Sequence, residues 1–147
     1  MHNMRRVTSG LIFVVVGVFL AASPGSSSSQ EVSAPEGWIE LPAEGATTAS
    51  AFVVVKNPTM YDIYLISAAT EVAAGVELRD TDEGEAKTLR EITVPAYGSV
   101  RMKADGVHLQ LMDLERPLKE GETILLTLTT DGAIKLRVQA PVRVDGK

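Results

Sequence analysis

The sequence predicts an all-β domain, a sandwich or barrel, behind an N-terminal export signal. Three observations predict it. From Glu36 onward no long stretch carries a helical hydrophobic period. Short apolar runs recur instead, at Trp38–Leu41, Ala49–Lys56, Tyr61–Ala69, Gly75–Arg79, Thr88–Val94, Val100–Lys103, Val107–Met112, Thr123–Thr129 and Ile134–Val144. Turn residues separate these runs, the spacing that β-sandwiches and barrels produce.

The punctuation between the runs is specific. Asn57-Pro58-Thr59-Met60 reads as a turn, because Asn caps its own backbone and Pro fixes φ. Tyr97-Gly98 and Asp105-Gly106 bracket a short strand, and Pro117-Leu118-Lys119-Glu120-Gly121 breaks the chain before the next one. Thr130-Asp131-Gly132-Ala133 places an Asp-Gly pair between two alternating strands, the strongest hairpin signal in the chain. The run Val107–Met112 alternates strictly. His108, Gln110 and Met112 face one way, and Val107, Leu109 and Leu111 the other.

The first 29 residues read as a signal peptide rather than as fold. Arg5-Arg6 supplies the positive start, and Leu11–Ala22 is a twelve-residue apolar run, the length of a signal core and short for a bilayer span. Ala21, Ala22 and Ser23 follow, then Pro24-Gly25 and the serines 26 to 29, so a mature start is expected between Ser23 and Glu31. The alternative is an uncleaved segment that anchors the protein in the membrane. No cysteine follows the run, which excludes a lipid-anchored form of this sequence. Residues 30–35 read as a flexible tether and residues 36–147 as the domain.

Composition removes several function classes. The net charge is −5, and Arg5 and Arg6 lie in the signal segment, which leaves about −7 on the rest. An acidic domain repels phosphate backbones, so nucleic acid is not expected as a partner. The absence of cysteine rules out disulfides and thiolate metal sites. His108 is the one histidine outside the extreme N-terminus, and no Gly-x-Ser-x-Gly, phosphate loop or dinucleotide fingerprint occurs, so no enzyme is expected. The acidic run Asp80-Thr81-Asp82-Glu83-Gly84-Glu85 has its glycine one place early for a calcium loop, and reads as a solvated turn.

The stretch from Val94 to Leu126 resembles the PCuAC family, small periplasmic copper chaperones. Family members carry a Pro-Ala-Gly-Gly turn, then Leu-Lys-Pro-Gly-Gly, Tyr-His-Leu-Met-Leu-Met-Gly-Leu and Pro-Leu-Lys-Glu-Gly-Asp. The corresponding residues here are Pro95-Ala96-Tyr97-Gly98, Met102 to Gly106, Val107 to Leu114 and Pro117 to Glu122. The resemblance extends upstream through Ala51–Asn57 and downstream to Arg143, about residues 36 to 143. It implies a cupredoxin-like Greek-key β-sandwich or barrel. It also implies a periplasmic or secreted location and copper trafficking to a respiratory oxidase. A partner protein of copper trafficking or oxidase assembly would go with that role.

The copper site that the resemblance implies is built from His and Met, since Cu(I) prefers sulfur and imidazole and Met survives an oxidising compartment. Residue by residue, the match is thin. Glu77-Leu78 is kept, but the family's His falls on Arg79, its next Met on Thr81, its mid-chain Met near Ala86, and its His-x-Met pair on His108-Leu109-Gln110. Only His108 matches. Met112 shares the His108 face but lies four residues on, ~13 Å along a strand. Met102 reads as core packing and Met60 as a loop residue. Copper binding is therefore expected to be weak or absent. The other reading is a module that contacts a partner protein on the same sandwich without metal.

Overall fold

The computed structural model describes Gly17 and residues 31–144. The expected signal peptide, its cleavage window and the start of the tether at Gln30 lie outside the described residues, Gly17 apart. Ten strands make up the domain: β1 Ser33–Glu40, β2 Ala49–Asn57, β3 Ile63–Thr70, β4 Ala73–Asp82, β5 Glu85–Leu89, β6 Ile92–Val94, β7 Gly98–Arg101, β8 Val107–Leu114, β9 Thr123–Thr130 and β10 Lys135–Arg143. No helix occurs among the described residues.

Seven strands close a barrel in the order β4-β8-β2-β1-β10-β9-β3, and β3 returns to β4 through Ala68 opposite Val76. β5 adds to the outer edge of β4, β6 to β3, and β7 to β2 beyond the reach of β8. All pairings are antiparallel except β1 with β10, where Ile39 faces Val142. Closure removes the open edge that an isolated sheet would expose.

The interior follows from the period-2 alternation. Ile124, Leu126 and Leu128 of β9 point inward, as do Leu136, Val138, Ala140 and Val142 of β10 and Leu109 and Leu111 of β8. β2 behaves differently, with Ala49 and every residue from Ala51 to Val55 buried. Its inner face lines the core. Its outer face at Phe52 is covered by Trp38, with ring centroids 4.7 Å apart. An uninterrupted apolar run is what a strand covered on both faces requires. Gly37 makes the close approach beside it possible: a Cβ there would meet Val138 Cγ1 at 2.8 Å.

Three local features differ from the sequence expectation. The run Thr88–Val94 is two strands, with β5 paired to β4 and β6 paired to β3. β1 starts at Ser33, opposite Lys56, upstream of the expected domain start at Glu36. The β9–β10 hairpin forms at Asp131-Gly132 as expected, but the residue in the left-handed region is Ala133, at φ 60°.

The loops at one end are locked by a single buried side chain. Asn57 Nδ2 donates to the carbonyls of Tyr61 (2.7 Å), Val94 (3.0 Å) and Pro95 (3.2 Å). Its Oδ1 accepts from the Thr59 amide at 3.0 Å and from Thr59 Oγ1 at 2.6 Å. Every hydrogen-bonding site of the amide that burial would otherwise leave dry is thus used.

Candidate functional site

The antiparallel register brings the expected ligand positions together on one flank. Across β4 and β8, Arg79 lies opposite His108 and Glu77 opposite Gln110. Across β4 and β5, Thr81 lies opposite Ala86 and Arg79 opposite Thr88. Directly opposed residues share a face, with Cβ atoms roughly 5 Å apart. Residues 77, 79, 81, 86, 108 and 110 therefore form one outward-facing surface on β5-β4-β8, while Leu78, Leu109 and Leu111 fill the barrel behind it.

His108 is the buried member of that surface, at 5% exposure. The reason is its neighbour on β2: the Phe52 ring lies 6.1 Å from the imidazole, with Trp38 stacked beyond it. The ring is fixed by one hydrogen bond, Nδ1 to the Gly106 carbonyl at 2.9 Å. A carbonyl oxygen only accepts, so Nδ1 carries a proton. A backbone carbonyl on one nitrogen is the arrangement that orients a histidine for ligation through the other.

Arg79 is held across from it by an ion pair within β4. Its Nη2 lies 2.7 Å and its Nε 3.1 Å from Glu77 Oε2. Both groups keep solvent contact, 24% and 39% exposed at the side chain, so the pair stabilises the fold by no more than about 1 kcal/mol. Its consequence is positional: a permanent guanidinium stands at the position that the PCuAC resemblance gives to a histidine.

None of the methionines among the described residues lies directly opposite His108 or Arg79. Met102 is buried in the core, Met60 is exposed in the β2–β3 loop, and Met112 lies opposite Gly75, two pairs further along β8 than Gln110. No group of three or more His, Asp or Glu residues able to hold a metal occurs among the described residues. The acidic run at Asp80–Glu85 is the β4–β5 hairpin turn, with Glu83 at φ 50° and Gly84 at φ 83°. Of the positions that the resemblance implies, His108 is the one that carries an imidazole. The five positions implied by the resemblance fall on this one flank; sequence reasoning missed the aromatic wall of Trp38 and Phe52 and the tie from Arg79 to Glu77. The unbroken apolar run of β2 was the signal for the first.

Known proteins agree with this architecture. The chain is similar to the Cu(I)-bound DR1885 protein of Deinococcus radiodurans, at 28% identity and a TM-score of 0.70 over 86% of this chain and 88% of that one. It also superposes on the copper-bound PCuAC domain of PmoF2, with a TM-score of 0.68 over 77% of this chain and 92% of that domain; at 22% identity that likeness concerns the fold alone. A putative lipoprotein of Leifsonia xyli subsp. xyli is 27% identical, covering 96% of this chain and 87% of the relative. The barrel thus has the PCuAC fold. The family model described as putative lipoprotein LpqE-like matches residues 32–142, and the chain belongs to this LpqE-like family.

Proposed function

We propose that this chain is an exported, PCuAC-type envelope protein whose β5-β4-β8 flank holds Cu(I) weakly or not at all and contacts a partner protein instead. It is not an enzyme in this reading. The observation that carries it is Arg79 directly across from His108 and tied to Glu77. Cu(I) in a protein needs several soft donors in one place, and a fixed cation at the second position opposes binding. Export is supported by the Arg5-Arg6 and Leu11–Ala22 pattern and by the lipoprotein description of the relatives. This sequence has no cysteine to carry a lipid, so its attachment to an envelope would differ from theirs.

A second reading keeps copper as transient cargo, carried towards a respiratory oxidase or its assembly proteins. The Nδ1 bond to Gly106, which orients the ring for ligation through its other nitrogen, favours it. Similarity to the Cu(I)-bound DR1885 protein supports the same reading.

A competition titration separates the two. A moderate Cu(I) chelator is expected to strip the wild-type domain completely. Arg79→His, Thr81→Met, Ala86→Met and Gln110→Met together should create retention that His108→Ala abolishes. One Cu(I) per chain held by wild type against that chelator would overturn the contact-module reading.

A further inference from the structure

One end of the barrel gathers four of the six large apolar residues that the described chain exposes. Met60, Tyr61, Tyr97 and Ile134 are 61%, 69%, 74% and 47% exposed. They sit on three adjoining loops. The Tyr97 amide donates to the Thr59 carbonyl at 3.0 Å, and the Asp131 amide to the Tyr64 carbonyl at 2.9 Å. The Asn57 side chain locks the first two loops from beneath. Two acidic groups within these loops are turned to structural use: Asp62 accepts from the Ala96 amide and Asp131 from the Tyr64 amide. Lys56 and Lys135 flank the loops, exposed and outside the ion pairs of the described residues. The acidic β4–β5 turn reaches the same end, next to β3 and two strands from β2.

The chain enters the barrel at the same end. Ser33 pairs with Lys56, and Lys56 pairs with Ser99 just past the Tyr97 turn. Ten residues separate Ser33 from the apolar run Leu11–Ala22. Ten residues reach at most ~35 Å. In the alternative reading, in which that run is kept and inserted in a bilayer, it brings this end of the barrel, and not the opposite one, to the lipid surface.

Tyrosine, methionine and isoleucine flanked by lysine are the chemistry of the lipid–water interface, where an apolar body meets polar headgroups. Tyr97 also holds φ 55°, a left-handed backbone that glycine would adopt without strain. We propose that the Met60, Tyr61, Tyr97 and Ile134 tip is a membrane-surface contact, which seats the barrel on the bilayer and turns the His108 flank sideways to it.

The absence of cysteine allows a direct test on the full chain. Tyr61→Cys, Ile134→Cys and Ala43→Cys would each carry an environment-sensitive fluorophore, with the chain reconstituted in phosphatidylcholine vesicles containing phosphatidylglycerol and nitroxide-labelled lipid. Ala43 lies in the β1–β2 loop at the opposite end. A blue shift with nitroxide quenching at positions 61 and 134, and neither at 43, is the expected result. Met60→Ser with Tyr97→Gly should abolish the quenching at 134 without lowering the melting temperature, because Tyr97→Gly relieves strain. Equal quenching at all three positions, or none, would overturn the proposal. Probes that stay wet on vesicles but become shielded in native membranes would assign the tip to a protein, and overturn it equally.

Discussion

The two faces of β8 obey different rules. Inward, Leu109 and Leu111 are fully buried among Leu78, Val53 and Leu126, and a hydrophobic side chain of the right volume is the whole requirement. Outward, His108 is packed against an aromatic ring while Gln110 keeps contact with water. The inner face specifies the barrel and tolerates little. The outer face specifies chemistry, and there Arg79 and Gln110 stand at the ligand positions of the PCuAC resemblance with no visible cost to the fold. One strand thus keeps a fold while leaving its function free to change, because the two demands fall on alternate residues.

Breaking that contrast at its strongest point is a matter of one strand and two substitutions. Leu111→Ala should destabilise the domain by about 2–5 kcal/mol through lost burial and the cavity left behind. Gln110→Ala should change stability by no more than about 0.5 kcal/mol, as surface substitutions do. Urea melts of both variants read the difference as a shift in midpoint. Comparable losses would mean that the outer face is as tightly specified as the inner one.

The same contrast explains what the sequence disclosed. The alternation Val107–Met112 disclosed both faces of β8, since a half-buried strand has no other way to pattern its residues. The five positions that the PCuAC resemblance implies could be placed only through that resemblance, and cross-strand register sets them on one flank. The split of Thr88–Val94 was hidden, because Leu89-Arg90-Glu91-Ile92 contains no glycine or proline. Barrel closure, not local turn chemistry, moves the chain from β4 to β3 there. The link from Arg79 to Glu77 and the cover of Phe52 over His108 were hidden for a similar reason. Neither rests on a local pattern with a meaning of its own.

A subtler test lies on the outside of the barrel at the β8–β9 connection. Arg116 grips Glu122 with Nη2–Oε1 at 2.6 Å and Nη1–Oε2 at 3.2 Å, and the Lys119 amide donates to Oε2 at 2.6 Å. The Arg116 bond first, then the Lys119 amide, holds the Glu122 carboxyl below its ordinary value of 4.5. Its charged form is therefore favoured by folding. The stabilisation is fully present above the ordinary glutamate range and disappears as pH falls through the lowered folded value. The pair is accessible to water and salt, so the effect is small. Glu122→Gln should flatten the acid limb of the melting temperature between pH 5 and pH 3, an interval that brackets the ordinary value of 4.5. An unchanged limb would place the acid sensitivity in other carboxylates.

The smallest expected effect is at the β9–β10 hairpin, where the left-handed position is occupied by the wrong residue. Ala133 holds φ 60°, while Gly132 beside it has an ordinary φ and nearly empty space where a Cβ would go. The turn closes through the Ala133 amide to the Thr130 carbonyl at 3.0 Å and the Thr130 amide to the Ile134 carbonyl at 2.9 Å, so its geometry is fixed by backbone bonds and not by the identity of residue 133. A left-handed L-residue costs about 1–2 kcal/mol, and glycine removes that cost while adding about 0.5–1 kcal/mol of lost chain freedom. Ala133→Gly should therefore stabilise the domain by about 0.5 kcal/mol. Gly132→Ala should stabilise it by a similar amount, through reduced freedom of the unfolded chain. The exchanged pair, Ala at 132 and Gly at 133, should raise the melting temperature by roughly 2–4 °C for a domain of this size. A fall in melting temperature on Gly132→Ala would show that residue 132 carries the left-handed backbone, and that the Asp-Gly signal located the turn residue as well as the turn.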